Sequence, residues 1–245
     1  MGVPYSPPQA PHHPRHHRRL TAGSLSGLRP PEARPLVLLH ALGRDSTDWD
    51  TVTHGFARNW RVHALDLRGH GRSDWPGSYT LELMRDDVLG SLDVLGLATV
   101  DVIGHSMGGM VAYLLAQEHP QRVDRLVLED VPLPQPRKRT FLTRPEGELT
   151  FDWDMVTAVR AQIDTPEPAW LERLEEVTAE TLVMGGGPQS HVAQEGVAEL
   201  ASRIPRGRLA VVPVGHLIHE AAPQAFMDLA LPFLRADPSH PTLHT

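Results

Sequence analysis

Cysteine is absent from the 245-residue chain, which excludes a disulfide framework, a thiolate nucleophile and any zinc site built on Cys ligands. Nucleophilic chemistry must therefore use another side chain. No stretch approaches the roughly 20 apolar residues that a membrane span requires, so no membrane partner is expected. Positive charge is short: 23 Lys and Arg face 30 Asp and Glu, a formal net charge of −7. That balance lacks the basic surplus of a general nucleic-acid binder. Gly185-Gly186-Gly187 has neither the Lys-Ser/Thr ending of a phosphate loop nor the spacing of a dinucleotide loop, so it reads as a tight turn.

What is present suffices for one large α/β domain. Residues 1–19 read as a His-, Pro- and Arg-rich disordered tail without a secretory apolar run, which makes the expected location cytoplasmic. His12, His13, His16 and His17 in that tail read as a solvated cluster, and no metal is expected. From about residue 36, short apolar runs alternate with helix-like segments, the pattern of a parallel sheet covered on both faces. Strands are expected at Leu36–Leu39, Val62–Leu65, Val100–Ile103, Arg125–Leu128, Thr181–Met184 and Arg208–Val212. Apolar spacing of three and four places crossover helices at Leu81–Leu95, Met107–Gln117 and Ala221–Leu234.

Pro132 to Thr178 separates two strands by far more than a crossover needs, and reads as a lid. Leu149, Phe151, Trp153 and Met155 alternate within it, and Ala169, Trp170, Leu171, Leu174 and Val177 share a helical face. They either pack the lid onto the body or wall a substrate pocket. Arg137, Lys138, Arg139 and Arg144, followed by Glu146, Glu148, Asp152 and Asp154, read as a solvated hinge, with selection of an anionic substrate as the alternative. The expected layout is a tail (1–19), a body (20–131 and 179–236), a lid (132–178) and a flexible end (237–245).

The chemistry-bearing signal is Gly104-His105-Ser106-Met107-Gly108, a G-x-S-x-G that follows an apolar strand and opens a helix. Such an elbow strains the serine backbone and lifts its hydroxyl above the sheet, beside a helix amino end that favours developing negative charge. Gly104 and Gly108 leave room for the turn.

These residues, together with Leu38-Leu39-His40-Ala41-Leu42-Gly43, Asp66-Leu67-Arg68-Gly69-His70-Gly71-Arg72-Ser73 and Val214-Gly215-His216, resemble the α/β-hydrolase superfamily over about residues 20–236. The resemblance implies a mostly parallel sheet flanked by helices, with a short helical lid. It also implies oxyanion stabilisation by the backbone amides of Leu42 and Met107, with Ala41 where the family usually has Gly. The family normally begins with two longer strands; residues 20–35 offer only brief ones, and an exposed edge there leaves the oligomeric state open.

The base must come late in the chain, on a loop at the carboxyl edge of the sheet, and His216 fits better than its rival His219. His105 reads as elbow packing, and His40, His70 and His191 as loop-fixing or solvent-facing. The family's commonest acid position, within Met184–Ser190, has no carboxylate. Haloalkane dehalogenases and certain lipases place the acid one strand earlier. By that resemblance Asp130, 24 residues beyond Ser106, is the acid, with Glu129 as the alternative and the unused carboxylate a surface or loop-bonding group. Ser106 as nucleophile excludes the carboxylate-nucleophile route of the dehalogenases. The expected function is cofactor-independent hydrolysis of a small-molecule acyl substrate (ester, thioester or lactone) through Ser106, His216 and Asp130. A C–C bond hydrolase or lyase using the same triad and a receptor with vestigial hydrolysis are the alternatives, since fold alone does not choose.

Overall fold

Side chains alternate across a strand, so a strand buried on both faces must be apolar at every position. Arg34–Leu39 shows this directly: Leu36 and Leu38 enter one core, Val37 and Leu39 the other. The computed structural model describes residues 22–24, 33–139 and 141–236. The expected tails, 1–19 and 237–245, with their histidine cluster, lie outside the described residues.

The strands are β1 (Ala22–Ser24), β2 (Arg34–Leu39), β3 (Trp60–Leu65), β4 (Val100–His105), β5 (Val123–Glu129), β6 (Glu180–Gly185) and β7 (Gly207–Val211). They form one sheet in the order β1-β3-β2-β4-β5-β6-β7, with β2 to β7 parallel and β1 antiparallel to β3. All six apolar runs expected as strands are strands. The brief candidates before them yield the three-residue β1 at the sheet edge.

The helices are α1 (Asp50–Phe56), α2 (Leu81–Val94), α3 (Met107–Glu118), α4 (Trp153–Asp164), α5 (Pro168–Glu172), α6 (Gln194–Arg203), α7 (Ile218–Ala221) and α8 (Pro223–Arg235). Thr80 caps α2 by accepting from Leu83 N at 3.1 Å, which satisfies one of the donors a helix start leaves open. The single helix expected over 221–234 divides at Pro223, whose nitrogen has no hydrogen to donate. α2, α3, α4 and α6 supply one core, with Met84, Val88, Met110, Val159 and Leu200. α1 and α8 supply the other, with Val52, Phe56, Phe226 and Leu234. A Leu fully buried in either layer stabilises the fold by roughly 1.5–3 kcal/mol.

Between β5 and β6 the described residues are irregular up to Asp152 and then helical in α4 and α5. The alternation at 149–155 does not extend into a strand. Phe151 makes one isolated bridge to His70, and the Asp152 carboxylate accepts from Asp154 N at 3.0 Å to start α4. Met155, Trp170, Leu174 and Val177 are buried in the core beneath. The helical face read from the sequence is therefore packing.

Candidate active site

Parallel strands of this kind expose their carboxyl ends to a crevice where the direction of winding changes, and functional residues gather there. Strands β4 and β5 are in register with His105 opposite Glu129, so Ser106 and Asp130 emerge side by side. Ser106 takes φ 51° and ψ −113° at the start of α3, with its N–H donating to Glu129 O at 2.9 Å. A positive φ in a non-glycine residue is strained and is held only by its surroundings. Those surroundings are tight: a Cβ on Gly104 would lie 2.5 Å from Gly108 O, and one on Gly108 would collide with the Leu39 and His40 carbonyls.

Ser106, Met107, Ala41, Leu42, His105, His191 and His216 all line one cavity of about 430 Å³, toward the small end of the roughly 300–1,000 Å³ usual for ligand sites. The loop carrying Ala41 and Leu42 is tied down by two buried histidines. His40 Nδ1 donates to Ala41 O at 2.8 Å and its Nε2 accepts from Leu67 N at 2.9 Å, while His70 Nε2 accepts from Gly43 N at 3.1 Å. Both are therefore loop-fixing. The Asp66–Ser73 turn braces the same loop: the Asp66 carboxylate accepts from Ser46 N at 2.7 Å and from Arg72 N at 3.0 Å.

His216 Nδ1 donates to Asp130 Oδ2 at 2.7 Å. Asp130 sits at φ 46° just past β5, and its carboxylate also accepts from Gly186 N at 2.8 Å, Gln194 Nε2 at 3.0 Å and the Ser190 hydroxyl. Burial pushes this carboxyl up, but the bonds from His216, Ser190, Gln194 and Gly186 outweigh it and hold the group below its ordinary value. Asp130 is thus an anion against the imidazole. Ser190 and Gln194 escaped notice in the sequence. Ser190 ends the segment that lacks a carboxylate and Gln194 lies just beyond it, and both bond Asp130, which comes from the neighbouring strand. The Gly185–Gly187 turn does the same through the Gly186 amide, and Gly187 there has φ 70°.

The two rival candidates pair with each other. His219 Nδ1 donates to the Glu129 carboxylate at 2.8 and 2.9 Å, and the His219 backbone N–H donates to Glu129 Oε1 at 2.9 Å. Both side chains are fully buried, so Glu129 bonds a loop and is no surface group. His219 Nε2 donates to Asp48 O at 3.0 Å, so both ring nitrogens act as donors and the ring is an imidazolium. Burial opposes that charge, but Glu129 and Asp48 overcome it and raise His219 to about 10. Burial also opposes charge on Glu129, and the imidazoles of His105 and His219 hold it below its ordinary value.

His105 does more than pack the elbow. Its Nε2 donates to the carbonyl of His216 at 2.9 Å, and its Nδ1 lies 3.6 Å from Asp48. Asp48, His105 and His219 are the metal-type cluster among the described residues. His219 Nε2 spends its position as a donor to the Asp48 carbonyl, and Arg44 Nε lies 3.1 Å from the Asp48 carboxylate. The cluster is accordingly a buried ion network in which protons and an arginine supply the positive charge.

His191, read as loop-fixing or solvent-facing, is exposed, and it also lies against His216 with ring centroids 4.2 Å apart and lines the cavity. Arg137 lines the same cavity, so it is more than a solvated hinge; Arg160 of α4, which the sequence did not single out, joins it. The aromatic residues of the 132–178 segment do not line this cavity; Phe151 and Trp153 border a separate depression with Trp75.

The sequence model for the alpha/beta hydrolase fold matches residues 34–173. The sn-1-specific diacylglycerol lipase of Mus musculus is 28% identical, over 81% of this chain and 80% of its own. Among solved structures, a hydrolase from Pseudomonas aeruginosa is 27% identical with a TM-score of 0.66, covering 89% of this chain and 93% of that one. The enol-lactonase of Burkholderia xenovorans LB400 has a TM-score of 0.77 at 23% identity, covering 90% and 98%. No described helix is long and apolar enough to cross a membrane. With the strand-turn-helix elbow on a sheet of this order, and a family match spanning more than half its length, the chain belongs to the α/β-hydrolase fold family.

Proposed function

We propose that the protein is a serine hydrolase that cleaves a small ester, thioester, lactone or related acyl bond through an acyl-enzyme. Ser106 is the nucleophile, His216 takes its proton and later returns it to the leaving group, and Asp130 holds the imidazole in the right tautomer and stabilises its cation. The amides of Leu42 and Met107 meet the oxyanion, a contribution of about 10²–10³ in turnover for such donors. The observation that carries this reading is the 2.7 Å bond from His216 Nδ1 to Asp130, made by a histidine that lines one cavity with the strained Ser106. The loop geometry, with His40 and His70 holding the Ala41–Gly43 backbone, supports the oxyanion assignment.

Ser106→Ala should abolish turnover of 4-nitrophenyl esters and covalent labelling by a fluorophosphonate, with the label found on Ser106 in the wild type by peptide mass spectrometry. Undiminished ester turnover in the variant would refute the nucleophile. The general-base role requires a neutral imidazole at His216, with Nε2 free to accept the serine proton.

A further inference from the structure

The cavity around Ser106 has an uneven charge. Arg44, Arg137 and Arg160 line it, and no carboxylate does among its described lining residues. Arg44 is paired with Asp48 at 3.1 Å and with Glu220 at 2.5 Å. The other two share one anion: Arg137 Nε lies 2.8 Å and Arg160 Nε 3.2 Å from the same oxygen, Asp164 Oδ1. Asp164 is itself fixed at the end of α4, with 1% of its side chain exposed, and its carbonyl accepts from Arg137 N at 3.0 Å. Two guanidinium groups thus meet one buried carboxylate at the cavity wall. The two arginines keep 34% and 24% of their side chains exposed, enough to meet a ligand.

The field of that wall is felt inside the site. His191, its ring tilted against that of His216, is held below its ordinary value first by burial and then by His216; Asp130 opposes this, and Arg160 and Arg137 add smaller effects in the lowering direction. Apart from the arginines, Ser106 and the imidazoles of His105, His191 and His216, the lining is apolar, with Leu42, Met107, Pro132, Ile163, Val192 and Leu217. A ligand that suits this surface has an apolar span with an anionic end.

We infer that the cavity selects acyl substrates bearing a carboxylate, which the Arg137–Arg160 pair receives while the scissile carbonyl sits at Ser106. This deepens the serine-hydrolase reading and rests on it for the position of the carbonyl. Guanidinium is suited to the task because its planar fork matches a carboxylate with two parallel bonds. Asp164 acts as a positioning residue that holds both arginines at the wall.

The test uses a matched pair, mono(4-nitrophenyl) glutarate and its methyl-capped neutral counterpart, methyl 4-nitrophenyl glutarate. A charge-assisted contact predicts that wild-type kcat/KM favours the acid by about tenfold to a hundredfold. The preference should shrink with added salt. Arg137→Gln and Arg160→Gln should each lower the acid-to-neutral ratio, the double variant should bring it near one, and the Lys replacements should restore part of it. A ratio near or below one in the wild type, or an equal loss on both esters in the Arg variants, would overturn the inference. In that outcome, neutral-ester turnover that still depends on Ser106 leaves the serine-hydrolase reading standing. A second arm does not need turnover: calorimetry on Ser106→Ala should show monomethyl glutarate binding more tightly than dimethyl glutarate, with the difference lost on adding Arg160→Gln. Equal affinity for the anion and the neutral diester would overturn the inference even if no ester were cleaved.

Discussion

Two histidine–carboxylate pairs lie side by side at the carboxyl edge of the sheet, and they differ in what surrounds them. Asp130 and His216 form the outer pair: the imidazole is 17% exposed and borders the cavity. Glu129 and His219 form the inner pair, with both side chains at 0%. The inner imidazole donates from both nitrogens, to Glu129 and to the Asp48 carbonyl, and so is locked as a cation. A locked imidazolium holds backbone in place but cannot take a proton from a serine. Two carboxylate–histidine pairs, with their carboxylates one position and their histidines three positions apart in the chain, thus differ in burial and partners.

The inner pair also has a geometric relation to the outer one. His105 precedes Ser106, Glu129 precedes Asp130, and His219 follows His216 by three residues. The buried network of Asp48, His105, Glu129 and His219 therefore grips the backbone next to every member of the proposed triad, including the His216 carbonyl directly. Substitutions that separate chemistry from stability probe this division.

Asp130→Asn should lower kcat by about 10³–10⁴ by presenting the wrong hydrogen-bond partner to His216, with a smaller effect on the denaturation midpoint. An unchanged kcat would assign the outer pair no catalytic part. Glu129→Gln should do the reverse. It leaves a buried imidazolium without its anion, which costs about 3–5 kcal/mol of stability, read as a shift of the urea midpoint at constant slope, while kcat per folded molecule stays within about tenfold. Ser190→Ala removes one bond to Asp130 and leaves the others, so its kcat should drop by about tenfold or less.

The pH dependence of stability sharpens the same contrast. Glu129 is held below its ordinary value of 4.5, so its contribution is present above that value and fades as pH falls through the lowered one. His219 is raised from 6.5 to about 10, so its contribution is full below 6.5 and fades as pH rises toward 10. The stability gap between wild type and Glu129→Gln should therefore be widest between about 4.5 and 6.5 and narrow on the alkaline side by pH 10. A gap that is flat across this range would mean that the inner pair is not ionised.

Much of the fold was legible because its signals are local. The buried strands announce themselves as continuous apolar runs, and the elbow at Ser106 as a glycine-flanked turn between two such signals. The choice between Glu129 and Asp130 was not legible from spacing. Glu129 ends β5 facing the inner network, and Asp130 leaves the strand at φ 46° to face His216, a direction set by tertiary packing. Arg160 was equally hidden: an arginine on an amphipathic helix looks solvated until the neighbouring loop brings Arg137 onto the same carboxylate. Asp48 and His219 lie 171 residues apart, so their shared network has no local signature. The alternation at 149–155 failed to continue for a local reason, since Asp152 caps a helix in the middle of it.

The most direct test of the division between the two pairs is kcat per folded molecule on an activated ester, measured in parallel for Asp130→Asn and Glu129→Gln. A fall of about 10³–10⁴ in the first with at most about tenfold in the second is the predicted result. Collapse of turnover in Glu129→Gln with Asp130→Asn still active would contradict it, and would move the working pair inward.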